Sequence, residues 1–331
     1  MIVSAIYFVI VMNNLRNISE NINICKGFRG TLRFDELFSG HTTFKTGGSI
    51  PLYAEPADEE DLKALLAFFR QENIPSFILG GGSNIVPDDD GLDFAVVSTC
   101  RMNNISVAEK KGDEESLLLI CGSGTPIERI TAFCIENGYS GLESFAGLPG
   151  TAGGAVFMNA RCYGVSVSDV LESVRYADCS SSCISFKEYT MKKENWDYKK
   201  SPFQASSDVI VSVSFRVTKG DSAAIRSKSE EYVEDRRLKG HFKFPSAGSV
   251  FKNDRSFGKP SGQIIQDAGL RGFSLGGAQV APWHGNIIIN TGNATSAEIK
   301  ELSETVASRV KEKFGFSLEN EIIFVSKGKI R

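Results

Sequence analysis

Two glycine-rich turns carry the first chemistry legible in this chain. The first, Leu79-Gly80-Gly81-Gly82-Ser83-Asn84, follows an apolar run, 74–79, that reads as a buried strand. Three consecutive glycines remove every side chain that would hold a ligand off the backbone. Successive N–H groups in such a turn form a concave donor nest for phosphate oxygens, and Ser83 and Asn84 add a hydroxyl and an amide to its rim. The second turn, Pro149-Gly150-Thr151-Ala152-Gly153-Gly154-Ala155, repeats the pattern with a threonine hydroxyl and runs on to Asn159. Tight loops that bind nothing use the same residues, so one such turn decides little. Two of them, about seventy positions apart, point to one extended, diphosphate-bearing cofactor held along its length. Neither fits the common nucleotide signatures: no Lys-Ser/Thr closes a P-loop, and the glycines lack the dinucleotide spacing.

The elements around these turns set where they lie. Asp58 is placed to cap a helix whose apolar positions, Leu62, Leu65, Leu66 and Phe69, recur at helical spacing after an extended Pro51-Leu52-Tyr53-Ala54. The strand ending at Leu79 then puts the first turn at a strand's carboxyl end, where ligands of α/β layers lie. Strands are expected at 94–97 and 117–120, separated by a charged, solvent-facing stretch, 109–115. Thr125 as N-cap and Pro126 at the first position predict a helix with Ile127, Ile130 and Cys134 inward and Gly138 at its end. Strand-like segments follow at 174–176, 184–186 and 209–217, then a charged helix at 223–237. Beyond it, 245–253 turns and runs as a strand, 261–268 is a short helix ended by Gly269, and 287–289 is a buried strand. Thr295 and Glu298 form a capping box for a helix with inward Ile299, Leu302, Val306 and Val310, ended by Gly315, and 318–325 is the last strand.

Bulk composition narrows the partners. At 331 residues, the chain is long enough for two or three domains with ample core. Hydrophobic residues at 41%, charged residues at 23% and a net charge of −3 leave no basic excess for gripping nucleic acid. Seven cysteines without Cys-x-x-Cys pairs read as reduced thiols in a reducing, cytoplasmic compartment. Cys179 and Cys183 sit among serines with no nearby histidine, so no metal site is expected. The apolar run 1–11 is too short to span a bilayer and lacks a cationic start, so no membrane segment is expected. Two readings of it stay open: an extra N-terminal strand, or a start placed too early with Met12 the true beginning.

Seven blocks, in order, resemble the UDP-N-acetylenolpyruvoylglucosamine reductase family, flavin enzymes of peptidoglycan precursor synthesis. They are Thr42-Thr43-Phe44-Lys45-Thr46-Gly47-Gly48, 79–84, Gly147-Leu148-Pro149-Gly150 through Asn159, Tyr198-Lys199-Lys200-Ser201, 246–253, 262–293 and Leu318-Glu319-Asn320-Glu321. The resemblance implies an α+β fold: a two-part FAD-binding region of the vanillyl-alcohol-oxidase (PCMH) type and a C-terminal α+β substrate domain. The boundaries expected are 1–98, 99–219 and 220–331. FAD would be held by Gly47, Gly80, Gly81, Gly82, Ser83, Asn84, Pro149, Gly150, Thr151, Gly153, Gly154 and Asn159. NADPH would reduce it, and the enolpyruvyl nucleotide sugar would then take the hydride from flavin N5.

The same resemblance assigns roles in the C-terminal third. Ser249 matches the proton donor, a weak acid that can serve only where its conjugate is steadied by neighbours such as Lys252. An isolated serine beside Gly248 would be a turn residue; the flanking motif singles this one out. Glu321 matches the acid near the substrate carboxylate, and Tyr198, Asn253, Arg271 and His284 fall where the family meets the substrate. The family arginine of Tyr-Arg-x-Ser is Lys199 here, which keeps the charge and loses the planar fork. Either Lys199 serves with one bond, or Arg161 has taken the role. The long insertion with a clamping tyrosine found in one subgroup is absent, which places the chain with the shorter class. A monomer is expected. Two other readings compete: an FAD oxidase of the same fold acting on an alcohol or hydroxy acid, and a nucleotide-sugar binding module that has lost its chemistry.

Overall fold

Asp58 starts the first helix as its position in the sequence predicts: its carboxylate accepts from the Asp61 amide at 3.1 Å, and helix Glu59–Gln71 buries Leu62, Leu65, Leu66 and Phe69. The computed structural model describes residues 28–110, 112, 115–181 and 183–328. The apolar segment 1–11, Cys25 and part of the charged stretch (Lys111, Asp113 and Glu114) lie outside these residues. The chain falls into two compact units, one of 28–33, Leu52–Gly81 and Ala95–Glu234, the other of Phe34–Pro51, Gly82–Phe94 and 235–328. Both mix helices with strands, the α+β class expected.

In the first unit, strand Ala95–Ser98 lies between Ser76–Leu79 and the 52–55 end of strand Ser49–Glu55, all parallel, with Leu79 opposite Ser98. A second, antiparallel sheet runs in the order Ser185–Thr190, Leu171–Asp178, Val209–Lys219, Ser116–Gly122, Ile105–Glu109. Val209–Lys219 alternates buried and half-buried side chains, and its Val213 and Phe215 pack with Leu119, Ile127, Ile130 and Leu171 into one core. Strand Ile105–Glu109 was not expected; its outer face is exposed, and its place is set by pairing with Ser116–Gly122.

Helix Ile127–Asn137 corrects one expectation. Pro126, extended at φ −60° and ψ 138°, is the N-cap, and the buried Thr125 hydroxyl donates instead to the Asn104 carbonyl. The Ile127 amide, one of the donors a helix leaves unsatisfied, goes to the Gly150 carbonyl at 3.0 Å, so a tertiary contact replaces the expected side-chain cap. Gly138 ends the helix in the left-handed region.

The second unit is built on helix Ser296–Phe314. Thr295 and Glu298 form the predicted capping box, Gly315 ends the helix at φ 76°, and Ile299, Leu302, Val306 and Val310 are buried against Phe44, Val86, Phe251 and Ile322. Strands Ser274–Leu275, Ala278–Val280 and Ile288–Asn290 form an antiparallel meander. Ile85–Pro87 pairs in parallel with Ile323–Val325, the only regular part of the strand expected over 318–325. The strand expected within 245–253 is reduced to two isolated bridges, Ser249 with Ile287 and Phe251 with Asn320. A buried side chain takes the place of the missing rungs there, as described below.

Candidate active site

The first unit brings the two glycine turns into contact. A Cβ on Gly81 would lie 2.7 Å from the Gly150 Cα, and one on Gly80 would lie 2.7 Å from Thr151 Oγ1, closer than side-chain carbons approach. The glycines therefore serve loop-to-loop packing as well as any ligand. The Gly80 and Gly81 amides donate to no backbone carbonyl among the described residues. Gly150 is left-handed at φ 109°, and Thr151 caps helix Ala152–Phe157 by accepting from the Gly154 amide.

A third segment, 122–125, joins them just before helix Ile127–Asn137. Gly122-Ser123-Gly124-Thr125 receives the Gly153 amide on the Ser123 carbonyl (2.8 Å) and the Ala152 amide on the Thr125 carbonyl (2.9 Å). The Ser123 hydroxyl is buried and has no partner among the described residues. A buried hydroxyl left unsatisfied is costly unless something absent completes it. This donor, beside bare amides, fits the acceptor oxygens of a diphosphate-bearing cofactor. The signal available was another glycine-serine turn directly after a strand.

Asn159 and the Tyr198–Lys199 turn also meet in this unit. Asn159, left-handed and only 3% exposed, accepts from the Ser168 amide and donates to the Asp197 carbonyl at 2.8 Å. Its amide is thus engaged in holding the turn. Lys199 is half-buried, whereas Lys200 is exposed. Arg161 is exposed on the hairpin Arg161–Cys162 with Val165–Ser166, with one arm of its guanidinium on Ser166 Oγ at 3.0 Å.

In the second unit, Ser249 and Glu321 flank one short backbone run. Gly248 turns at φ 72°, Ser249 follows half-buried, and the Glu321 amide donates to the carbonyl of the next residue, Val250, at 2.7 Å. Asn286, 2% exposed, accepts from the Phe251 amide at 2.9 Å and donates to the Phe251 carbonyl at 2.8 Å, standing in for a strand. No local pattern marks Asn286 in the sequence, because its partners lie 35 positions away. Asn84, expected on the cofactor rim, donates its side-chain amide to the Glu321 carbonyl at 2.9 Å. Gly82 (φ 61°) packs where a Cβ would strike the His41 carbonyl, and Gly47 is left-handed at φ 110°. Beside Gly47, the Thr43 and Thr46 hydroxyls are buried without partners among the described residues. Lys252 pairs its ammonium with Glu319. Asn253 accepts from the Ser261 amide, and exposed Arg271 spans the Pro282 carbonyl and Gln266. His284 Nδ1 accepts from the Asn286 amide, and burial, followed by the nearby Arg271 charge, lowers its pKa.

Cys121 and Cys134 are buried free thiols, and burial pushes Cys134 up to about 12. Among the described residues no helix is long and apolar enough to cross a membrane.

Residues 50–186 match the FAD binding domain family, and with the glycine cradle this defines the class: an FAD-dependent oxidoreductase. Residues 240–325 match the UDP-N-acetylenolpyruvoylglucosamine reductase, C-terminal domain family. The chain is 44% identical over 323 residues to a UDP-N-acetylenolpyruvoylglucosamine reductase of Treponema denticola, covering 95% of this chain and 98% of that one. It is 38% identical over 316 residues to the protein of that name from Borrelia garinii subsp. bavariensis, again over 95% and 98% of the two chains. The crystal structure of UDP-N-acetylenolpyruvylglucosamine reductase from Thermus caldophilus matches with a TM-score of 0.71 at 28% identity, covering 90% of this chain and 99% of that one. The chain belongs to the UDP-N-acetylenolpyruvoylglucosamine reductase family.

Proposed function

We propose that this chain reduces the enolpyruvyl group of UDP-N-acetylglucosamine enolpyruvate to UDP-N-acetylmuramate with NADPH, for cell-wall peptidoglycan synthesis. The observation that carries the reading is Ser249 and Glu321 on paired backbone, tied through the Glu321 amide and Val250 carbonyl at 2.7 Å. Bound FAD supplies two-electron hydride chemistry between NADPH and the double bond. The rest falls to side chains. A hydride at the methylene carbon builds negative charge toward the carboxylate, and the Ser249 hydroxyl gives its proton to the carbon bearing that carboxylate, regaining one from solvent. Glu321 acts beside that group, and Lys199 opposes the developing charge. Lys199 is preferred to Arg161, whose fork already spends one arm on Ser166. Tyr198, Lys252, Asn253, Arg271 and His284 meet the nucleotide sugar, and the glycines of 80–82 and 150–154 with Gly47, Ser83, Asn84, Pro149, Thr151 and Asn159 hold the flavin. The flavin-binding sequence is drawn from within 1–98 and 99–219 and the substrate domain from 220–331, with Phe34–Pro51 and Gly82–Phe94 belonging to the same compact unit as 235–328. The chain works in the cytoplasm as a monomer, with neither nucleic acid nor membrane as partner.

An oxidase of the same cofactor fold has no use for a serine proton donor at 249 and a carboxylate at 321. Mixing the purified yellow protein with NADPH should bleach the flavin, and adding the enolpyruvyl nucleotide should restore it. A flavin that ignores NADPH but turns over an alcohol with oxygen would reject the reductase reading. Lys199→Met should cut turnover strongly; unchanged turnover there with collapse in Arg161→Met would transfer the role to Arg161.

A further inference from the structure

Lys199 sits at φ 57°, in the left-handed region that residues with a Cβ rarely adopt. It occupies the tip of a two-residue turn closed by mutual hydrogen bonds of Asp197 and Lys200, at 3.3 and 3.0 Å. Two side-chain amides fasten this turn. Asn159 donates to the Asp197 carbonyl at 2.8 Å, and Gln204 Nε2 donates both to the Lys199 carbonyl at 3.1 Å and to the Phe157 carbonyl at 2.8 Å. The Ser201 hydroxyl joins on the same Phe157 carbonyl at 2.7 Å. An unusual backbone conformation persists only where its surroundings over-determine it. A guanidinium orients itself through its rigid fork, whereas an ammonium on a flexible stem must be oriented by the backbone that carries it.

We propose that Gln204, supported by Asn159, is a positioning residue for Lys199: it locks the left-handed turn so that the ammonium meets the substrate carboxylate. The inference rests on the reductase reading and deepens it. Releasing the Lys199 carbonyl lets its backbone relax, and misplacing a group by about 1 Å can cost a hundredfold in rate.

The test uses the full-length holoenzyme with Gln204→Glu, which keeps the shape but loses the amide donor. Gln204→Met is its control for introduced charge. Amide exchange at 199–201 should speed up at least tenfold. The kcat for nucleotide reduction should fall about tenfold to a hundredfold, with flavin content and the rate of flavin reduction by NADPH unchanged. In a Lys199→Met background either change should cost nothing further, because the two residues act as one unit. Unchanged exchange, unchanged kcat, or an equal loss in both backgrounds would overturn the inference while leaving the reductase reading intact. An unaltered chain that does not reduce the nucleotide, with the turn still protected from exchange, would instead remove that reading and this inference with it.

Discussion

The cradle of the first unit and the Ser249–Glu321 region of the second reach a fixed backbone by opposite means. At Gly80 and Gly81 the loops close on one another because side chains are missing: a Cβ on Gly81 would collide with the Gly150 backbone, and one on Gly80 with the Thr151 hydroxyl. Around Ser249 the backbone is fixed by side chains that are present: Asn286 takes both polar groups of Phe251, and Asn84 takes the Glu321 carbonyl. A cofactor held by main-chain amides asks for close approach, while a proton donor asks for one hydroxyl held at one place. The first region should therefore fail sterically and the second through lost hydrogen bonds.

The sharpest break of that contrast is Gly81→Ala. Forcing a Cβ against the Gly150 Cα should cost about 1–3 kcal/mol and empty the protein of flavin, read as lowered Tm and lost yellow colour. Gly154→Ala, whose Cβ meets only Thr151 Oγ1 at 3.5 Å, should leave stability within about 1 kcal/mol. Equal losses in the two variants would mean that loop contact does not shape the cradle.

Next in size is Asn286→Ala, which leaves the Phe251 N–H and carbonyl unsatisfied and should cost about 1–3 kcal/mol by urea unfolding while flavin content stays unchanged. Flavin loss on the scale of Gly81→Ala would erase the distinction between the regions. A smaller effect concerns His241, held down to about 4 by burial first and then by Arg236, His284 and Lys239, with Asp235 opposing. Because the unfolded state binds the proton more tightly, this stability is present above pH 6.5 and is lost as pH falls toward about 4. His241→Asn should flatten the fall of Tm over that window; an unaltered slope would place the titration elsewhere. Smallest is Lys252→Met: its partner Glu319 is exposed, so stability should change by only about 0–1 kcal/mol. A larger loss would mean that the Ser249 segment depends on this ion pair as well as on Asn286.

Local signals were legible wherever their partners are local. Asp58 and the Thr295–Glu298 box specify their helices within three residues, and both form. Thr125 was misread as a cap because the neighbouring amide is satisfied by Gly150, a partner that only tertiary structure supplies. The glycine turns were visible by composition, but their mutual contact, the orphaned Ser123 hydroxyl and the amides of Asn286 and Gln204 were not. Each of those depends on backbone from a distant segment, and a lone Asn, Gln or Ser in a sequence carries no mark of such a partner. The Ser249 and Glu321 roles came from family resemblance, since neither residue type nor spacing distinguishes them.

Rapid mixing of Ser249→Ala holoenzyme tests the central claim, that the cradle holds the flavin while Ser249 supplies the proton. NADPH should bleach its flavin at the rate of the unaltered chain, and reoxidation by the enolpyruvyl nucleotide should then slow by about a hundredfold or more. Reoxidation at the unaltered rate would contradict the claim.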